Sequence, residues 1–221
     1  EEYNTDKKKM LKSVYQNGGF WIGRYEAGIE VNRTAKVEVT TTPLTKENLY
    51  PYNYVTRTQA KLLAEKVESG NYTSSLMFGV QWDLMLKYIE NKNATTRSNL
   101  ISNSTTIGNY QNNLWNITNS NSKYLTSSGK SFIACPYKKT SISEVLLTTG
   151  ANDDFSLMNI YDIAGNVWEW TIEKSSNDSN PCVARGGGCA NDGSIYTANC
   201  RSITTTSSSY NSSIGFRISL Y

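Results

Sequence analysis

The 221-residue sequence predicts a single α+β domain with long loops, and three observations carry that expectation. Apolar residues make up 38% of the chain and aromatic ones 11%, with fifteen Tyr and five Trp, so the core leans on large rings rather than on the aliphatic runs of a helix bundle. Two segments in the first half carry apolar residues at helical spacing. Further on, Trp168-Glu169-Trp170 alternates with the period of a strand. The length fits one large domain, residues 1–221, able to bury a sizeable core.

In chain order, Lys7, Lys8 and Lys9 form the one dense basic run and read as a solvated helix face or a terminal arm. Gly19 to Gly28 sets aromatic and β-branched residues between glycines and predicts an early core strand that leads into a turn. From Thr56 onward a capping hydroxyl precedes Ala60, Leu63, Ala64 and Val67, which predicts a helix from Thr58 to Glu68, ended by Ser69-Gly70-Asn71. Trp82, Met85, Leu86 and Ile89 share one face of a second predicted helix, Phe78 to Ile89. Residues 91–130, dominated by Asn, Ser and Thr, predict a surface insertion with short ordered pieces. The sequons at Asn93, Asn103 and Asn116 are what chance gives in so Asn- and Thr-rich a chain. Asn152-Asp153-Asp154 reads as a solvated turn.

Composition excludes several classes of function. A formal charge of +3, from 22 basic and 19 acidic residues, is too balanced to grip a phosphate backbone, which argues against nucleic acid as a partner. Histidine is absent, which removes the commonest general base and the commonest metal ligand together. Histidine-based triads and zinc-water hydrolysis go with it. Cys135, Cys182, Cys189 and Cys200 show no C-x-x-C spacing and are too few for a disulfide scaffold, although one or two bridges stay open. No apolar run approaches the roughly eighteen residues of a membrane span, and no signal-peptide pattern is visible. The chain opens on Glu1 rather than Met, and the expectation is the C-terminal part of a longer protein.

Two segments are more specific than the rest. One is Asn159-Ile160-Tyr161-Asp162-Ile163-Ala164-Gly165-Asn166-Val167-Trp168-Glu169-Trp170-Thr171; the other opens with Arg185-Gly186-Gly187-Gly188 and closes with Ile214-Gly215-Phe216-Arg217. Physically they read as framework. A strand places both tryptophan rings on one face, toward the core, and Glu169 on the other. Gly186 and Gly187 permit close backbone approach, and Arg185 and Arg217 can pin carboxylates of neighbouring loops by paired hydrogen bonds.

Together these motifs resemble the formylglycine-generating-enzyme superfamily, a branch of the C-type lectin fold. In weaker form the resemblance takes in Gly19 to Gly28, Pro43 and both predicted helices, and covers most of the chain outside 91–130. It implies a twisted antiparallel sheet with two helices and long loops, closed by a hairpin over 185–217. The family's enzyme holds copper on two hairpin cysteines; here those places carry Asn191 and Tyr196, while Cys189 and Cys200 fall elsewhere. Related sulfoxide synthases hold iron with histidines, which this chain lacks.

A third branch fits better: the variable proteins of diversity-generating retroelements. In these, reverse transcription scatters hairpin Asn codons to Tyr, Asp, Ser, Thr, Ile, Ala, Gly, Cys and others, but never to Lys, Glu, Gln, Met or Trp. The tract from Gly186 to Ile214 contains none of those five. The alternative is that a Ser/Thr-rich loop lacks them by composition alone. Ser, Thr, Asn and Tyr are also the residues of antibody paratopes, adaptable in hydrogen bonding and low in rotamer entropy.

The resemblance therefore implies an exposed, changeable ligand-binding set of Cys189, Ala190, Asn191, Asp192, Ile195, Tyr196, Ser202, Ile203 and Thr204. Arg201 is read as a framework anchor. The isolated thiols Cys189 and Cys200 become accidents of mutation. The family also implies an optional calcium at Asp162, Gly165, Val167 and Glu169, since hard oxygen ligands suit that ion; the alternative is that Asp162 caps a turn and Glu169 pairs with an arginine. The expectation is a binder with no required cofactor and no catalytic role, recognising a protein or glycan on a target cell from a phage (virion) tail tip or a bacterial cell surface. The competing readings are a copper oxidase using Cys189 and Cys200, and a structural module without ligand.

Overall fold

In the computed structural model, which describes residues 2–37, 40–67, 70–205 and 208–221, with side chains at all of these except 2 and 203–205, the strand Trp168–Lys174 lies inside a four-stranded sheet. Its alternation works as the pattern predicts for the rings. Trp168 and Trp170 both join the main apolar cluster, and the Trp170 indole N–H donates to the Val55 carbonyl at 3.0 Å. Glu169, on the other face, is buried as well. On one side this strand pairs antiparallel with Cys182–Arg185, which pairs in turn with Arg201–Thr205; on the other it pairs in parallel with Ile214–Phe216. The sheet is thus mixed rather than wholly antiparallel, because after Thr205 the chain crosses to the opposite edge instead of turning back as a simple hairpin. A second, three-stranded sheet sets Ile218–Leu220 between Trp21–Ile22 and Ser74–Leu76, all antiparallel.

Among the described residues four α-helices stand where two were expected: α1 (Glu2–Asn17), α2 (Arg57–Glu65), α3 (Gly79–Asn91) and α4 (Arg97–Ile101). At the start of α2, the Thr56 hydroxyl accepts from the Gln59 N–H at 3.2 Å and the Gln59 side chain accepts from the Thr56 N–H at 3.0 Å, a reciprocal cap. The helix ends earlier than predicted, its last turn tightening as the Lys66 and Val67 amides bond to Leu63 and Ala64 three residues back. Glu68 and Ser69, the expected end and stop signal, lie outside the described residues. Ala60, Leu63 and Ala64 enter the main core, whereas Trp82, Met85, Leu86 and Ile89 of α3 build a second cluster. Helix α1 contains the lysine run; of its described side chains only Met10 is fully buried, with Tyr3 and Val14 resting on the core, so its apolar periodicity is thin.

Two further expectations need correction. Gly19 to Gly28 is not one core strand: it gives Trp21–Ile22, then a bend, then Gly28–Ile29. Only Phe20 of its rings rests on the main core; Trp21 is 64% exposed and the half-buried Tyr25 stacks on Tyr161 at 4.9 Å, while the bend turns Glu26 inward. Residues 91–130 are not only surface, because Leu100, Ile107, Tyr110, Trp115 and Ile117 are buried. Leu100, Ile107 and Tyr110 join the α3 cluster and Trp115 and Ile117 a third one, but they come from short elements spaced by polar turns, which leaves little period to read.

The strands meet at Arg217. Its Nε lies 3.1 and 3.0 Å from the two Glu169 oxygens and its Nη2 2.6 Å from Oε1. The remaining donors reach the carbonyls of Gly23 at 2.9 Å and Tyr161 at 2.7 Å. Two more buried carboxyls act on the same guanidinium: Glu26, which accepts from Asn166 Nδ2 at 2.7 Å, and Asp162, which accepts from the Gly150 N–H at 2.7 Å. Burial pushes all three carboxyls up, Asp162 to about 6, and for Glu26 the like charges of Asp162 and Glu169 add to it.

A carboxyl whose folded pKa lies above its unfolded one contributes stability that is complete below the unfolded value, about 3.9 for Asp, and is lost as pH rises through the folded value. The melting temperature is therefore expected to fall as pH climbs from about 4 to about 7, and Asp162→Asn, which keeps an acceptor for Gly150, to flatten that slope. An unchanged slope in the variant contradicts the assignment. Arg217→Met leaves the carboxyls without their cation and is expected to cost about 3–5 kcal/mol, read by urea denaturation.

Candidate ligand-binding surface

Between Cys182–Arg185 and Arg201–Thr205 the chain forms a loop over 186–200 that begins with two left-handed glycines, Gly186 at φ 90° and Gly187 at φ 78°. A Cβ at Gly187 would lie 2.5 Å from the Tyr196 carbonyl oxygen and 2.9 Å from the Tyr110 ring, so only glycine lets the loop close. Backbone groups fasten much of the loop beyond this turn. The Tyr110 hydroxyl donates to the Gly186 carbonyl at 2.8 Å, and the Trp82 indole N–H to the Ala198 carbonyl at 3.0 Å. The Gln111 and Ser104 amides donate to the carbonyls of Asn191 and Gly193 at 3.0 and 2.8 Å. In return the Ala198 N–H donates to the Ser104 hydroxyl at 2.9 Å and the Asn199 N–H to the Leu100 carbonyl at 3.0 Å. All these partners except Trp82 come from the 91–130 stretch.

Of the nine residues expected to meet a ligand, Ala190, Ile195 and Tyr196 are exposed, Ile195 by 67% and Tyr196 by 39%. The Tyr196 ring stands edge-on to Trp168 with centroids 5.8 Å apart. Asn191 and Asp192 are half-buried and serve the frame. Asn191 Oδ1 accepts from the Trp168 indole at 2.8 Å and from the Gly188 N–H at 3.0 Å. Asp192 Oδ1 accepts from Asn112 Nδ2 at 2.9 Å and from the Ser194 N–H and hydroxyl at 2.8 and 2.6 Å, and the Ser194 contacts hold its carboxyl below the usual range.

Cys189 is a correction. It is 1% exposed and packs with Leu146 and Val167, because the glycine turn and its N–H bond to the Asn166 carbonyl at 2.8 Å point that position inward. Ser202 is half-buried on its strand, and the side chains of Ile203 and Thr204 lie outside the described residues. Ser194 and Asn199, not in the expected set, are exposed beside it. Both belong to the same Lys- and Glu-free tract, which was the signal available for them.

Arg201 is anchored, as its isolation in the tract suggested. Its guanidinium pairs with Glu173 and, at 3.2 Å, with Asp83. The fully buried Arg185 reaches Asp83 from beneath, so the carboxylates these arginines engage sit on α3 and the central strand rather than on loops. Asp83 and Glu173 carry no local sequence signal for that role.

The side chains and amides at the four positions expected to hold calcium are engaged within the frame. Glu169 has both oxygens on Arg217, Asp162 is engaged by Gly150, and the Gly165 and Val167 amides donate to the Gly186 carbonyl at 2.9 Å and to Glu26 at 3.3 Å. A guanidinium thus meets the Glu169 charge in this arrangement, as the alternative reading of that residue expected. Among the described residues no group of three or more Cys, Asp or Glu side chains is disposed to hold a metal. None of the four cysteines is in a disulfide; Cys189 and Cys200 sit against different apolar clusters, and burial pushes both thiols up.

Comparison with known proteins gives three findings. The sulfatase-modifying factor enzyme 1-like domain family matches residues 88–220. Among solved structures, Treponema denticola variable protein 1 is similar over 90% of this chain and 84% of its own, at 17% identity and a TM-score of 0.51. CarF is 14% identical over 76% of this chain and 66% of its own, at a TM-score of 0.49. No curated protein sequence matches.

The loop is thus divided into fasteners and displayed side chains, and stability measurements can separate them. Asn191→Ala leaves the Trp168 and Gly188 N–H groups unpaired and is expected to cost about 1–3 kcal/mol. Ile195→Ala is expected to change stability by no more than about 0.5 kcal/mol. Equal losses in chemical denaturation would erase the division.

Proposed function

The chain belongs to the sulfatase-modifying factor enzyme 1-like domain family, with the C-type lectin fold in its formylglycine-generating-enzyme form, and from that premise we propose that it is a ligand-binding protein rather than an enzyme. Its binding surface is the outward set Ala190, Ser194, Ile195, Tyr196 and Asn199, with strand residues Ser202, Ile203 and Thr204 beside it. The observation that carries this reading is the fastening of the loop. Backbone carbonyls and amides, with the inward Asn191 and Asp192, hold the shape and leave the outward side chains open to change.

The likeness to Treponema denticola variable protein 1 supports a variable role, and the absence of Lys, Glu, Gln, Met and Trp from the tract supports diversification by a retroelement. The partner in this reading is a protein or glycan on a target cell, met from a phage tail tip or a bacterial surface. Tyr196 is the rigid amphipathic anchor, and small polar neighbours supply adaptable hydrogen bonds. Against an oxidase, the two loop thiols lie in separate apolar surroundings that disfavour the thiolates copper needs.

A display library randomised at 190, 194, 195, 196 and 199 is expected to keep most clones protease-resistant and to yield binders to unrelated purified proteins. A second library randomised at 186, 187 and 191 is expected to lose the fold in most clones. Equal survival of the two, or no binders from the first, counts against the proposal. In the source genome, a near-identical repeat differing at adenines beside a reverse transcriptase gene is the matching expectation for how the tract changes.

A further inference from the structure

Away from this surface, a cavity of about 260 Å³ opens between α1, the first turn of α2 and the far end of the Trp168–Lys174 strand. Over the seven residues of that strand the cavity lies about 20 Å from the Trp168 end, where the loop rests. Its walls combine two chemistries. Tyr3, Leu62, Ile172 and Pro181 supply an apolar lining, and Arg57, Lys61 and Lys174 bring three cations to it against one carboxylate, Asp6.

The cations converge through the fold. Lys174 stands opposite Cys182 in the strand register, and the Arg57 guanidinium acts on the Cys182 thiol. The register shift between Trp170 and Lys174 marks an irregularity of the kind that re-aims side chains at strand ends. Lys61, on the same wall, is neutralised by Asp6 at 3.7 Å and Glu65 at 2.6 Å. Arg57 and Lys174 have no carboxylate within ion-pair distance among the described residues. Two like charges with no carboxylate partner among the described residues, beside a partly enclosed, partly apolar space, repel each other and attract an anion more strongly than they would in open water.

We propose that this cavity is a second binding site, for a small amphiphilic monoanion whose carboxylate sits between Arg57 and Lys174 and whose apolar body lies on Tyr3, Leu62, Ile172 and Pro181. The volume falls just under the roughly 300–1,000 Å³ of ordinary ligand pockets, which selects an aryl or short alkyl carboxylate over a larger ligand. Neither half of such a molecule satisfies the site alone. An inorganic anion leaves the apolar wall wet, and a neutral body leaves the cations uncompensated. The inference does not depend on the loop's role, since the two sites share no residue.

The test uses benzoate as the probe, with benzyl alcohol and inorganic phosphate as its two halves, titrated calorimetrically into the intact chain. Benzoate is expected to bind saturably at one site, with affinity that falls as NaCl is raised and drops about tenfold or more in Arg57→Gln/Lys174→Gln. Lys174→Gln alone, at an exposed position that leaves the core untouched, is expected to weaken it in the same direction. The proposal is overturned by no saturable benzoate binding up to about 10 mM, by unchanged affinity in both variants, or by either half binding as tightly as the whole.

Discussion

One guanidinium holds the frame in register. Arg217 joins the central strand through Glu169, the segment after Trp21–Ile22 through the Gly23 carbonyl, and the Asp162 turn through the Tyr161 carbonyl. Buried pairs of this kind add little net stability over an apolar replacement, because two ions leave water to make them. Their effect is on geometry. A one-residue slip of Ile214–Phe216 against Trp168–Lys174 would carry Arg217 away from both Glu169 oxygens and leave charges buried without partners. The surrounding Glu26 and Asp162 give the cluster more carboxyls than cations, and it settles the excess by holding protons where exposed acids would have lost them.

How much of this could be read beforehand depended on how local the cause was. The alternation of Trp168, Glu169 and Trp170 set both ring faces correctly, because a strand fixes side-chain direction two residues at a time. The Thr56 cap and the α3 stripe were legible for the same reason: each is decided within one or two turns of helix. Helix α1 was not, since a long helix held by one fully buried Met10 shows little period. Nor were the loop's roles. Cys189 turns inward and Asn191 becomes the acceptor for an indole only because of groups brought in from elsewhere in the chain, and Asn is as much at home on an open loop as inside a turn. Asp192 meets Asn112 across eighty positions of sequence, and Arg201 meets Asp83 across more than a hundred, distances over which composition and spacing carry no information.

The fastening of the loop by main-chain groups bears on how such a chain can evolve. Carbonyls and amides are common to every residue, proline's missing N–H apart, so the bonds from Tyr110, Gln111, Ser104 and Trp82, made at the inward positions 186, 191, 193 and 198, ask nothing of the outward side chains at 190, 194, 195, 196 and 199. A genotype can therefore drift widely at the tip while its phenotype, the traced path of the loop, stays put. The positions excluded from that drift are those that make the closure or face inward: the paired glycines, Asn191, Asp192, Gly193, Ala198, and the site at 189, where anything much larger than a thiol would have to displace Val167 and Leu146.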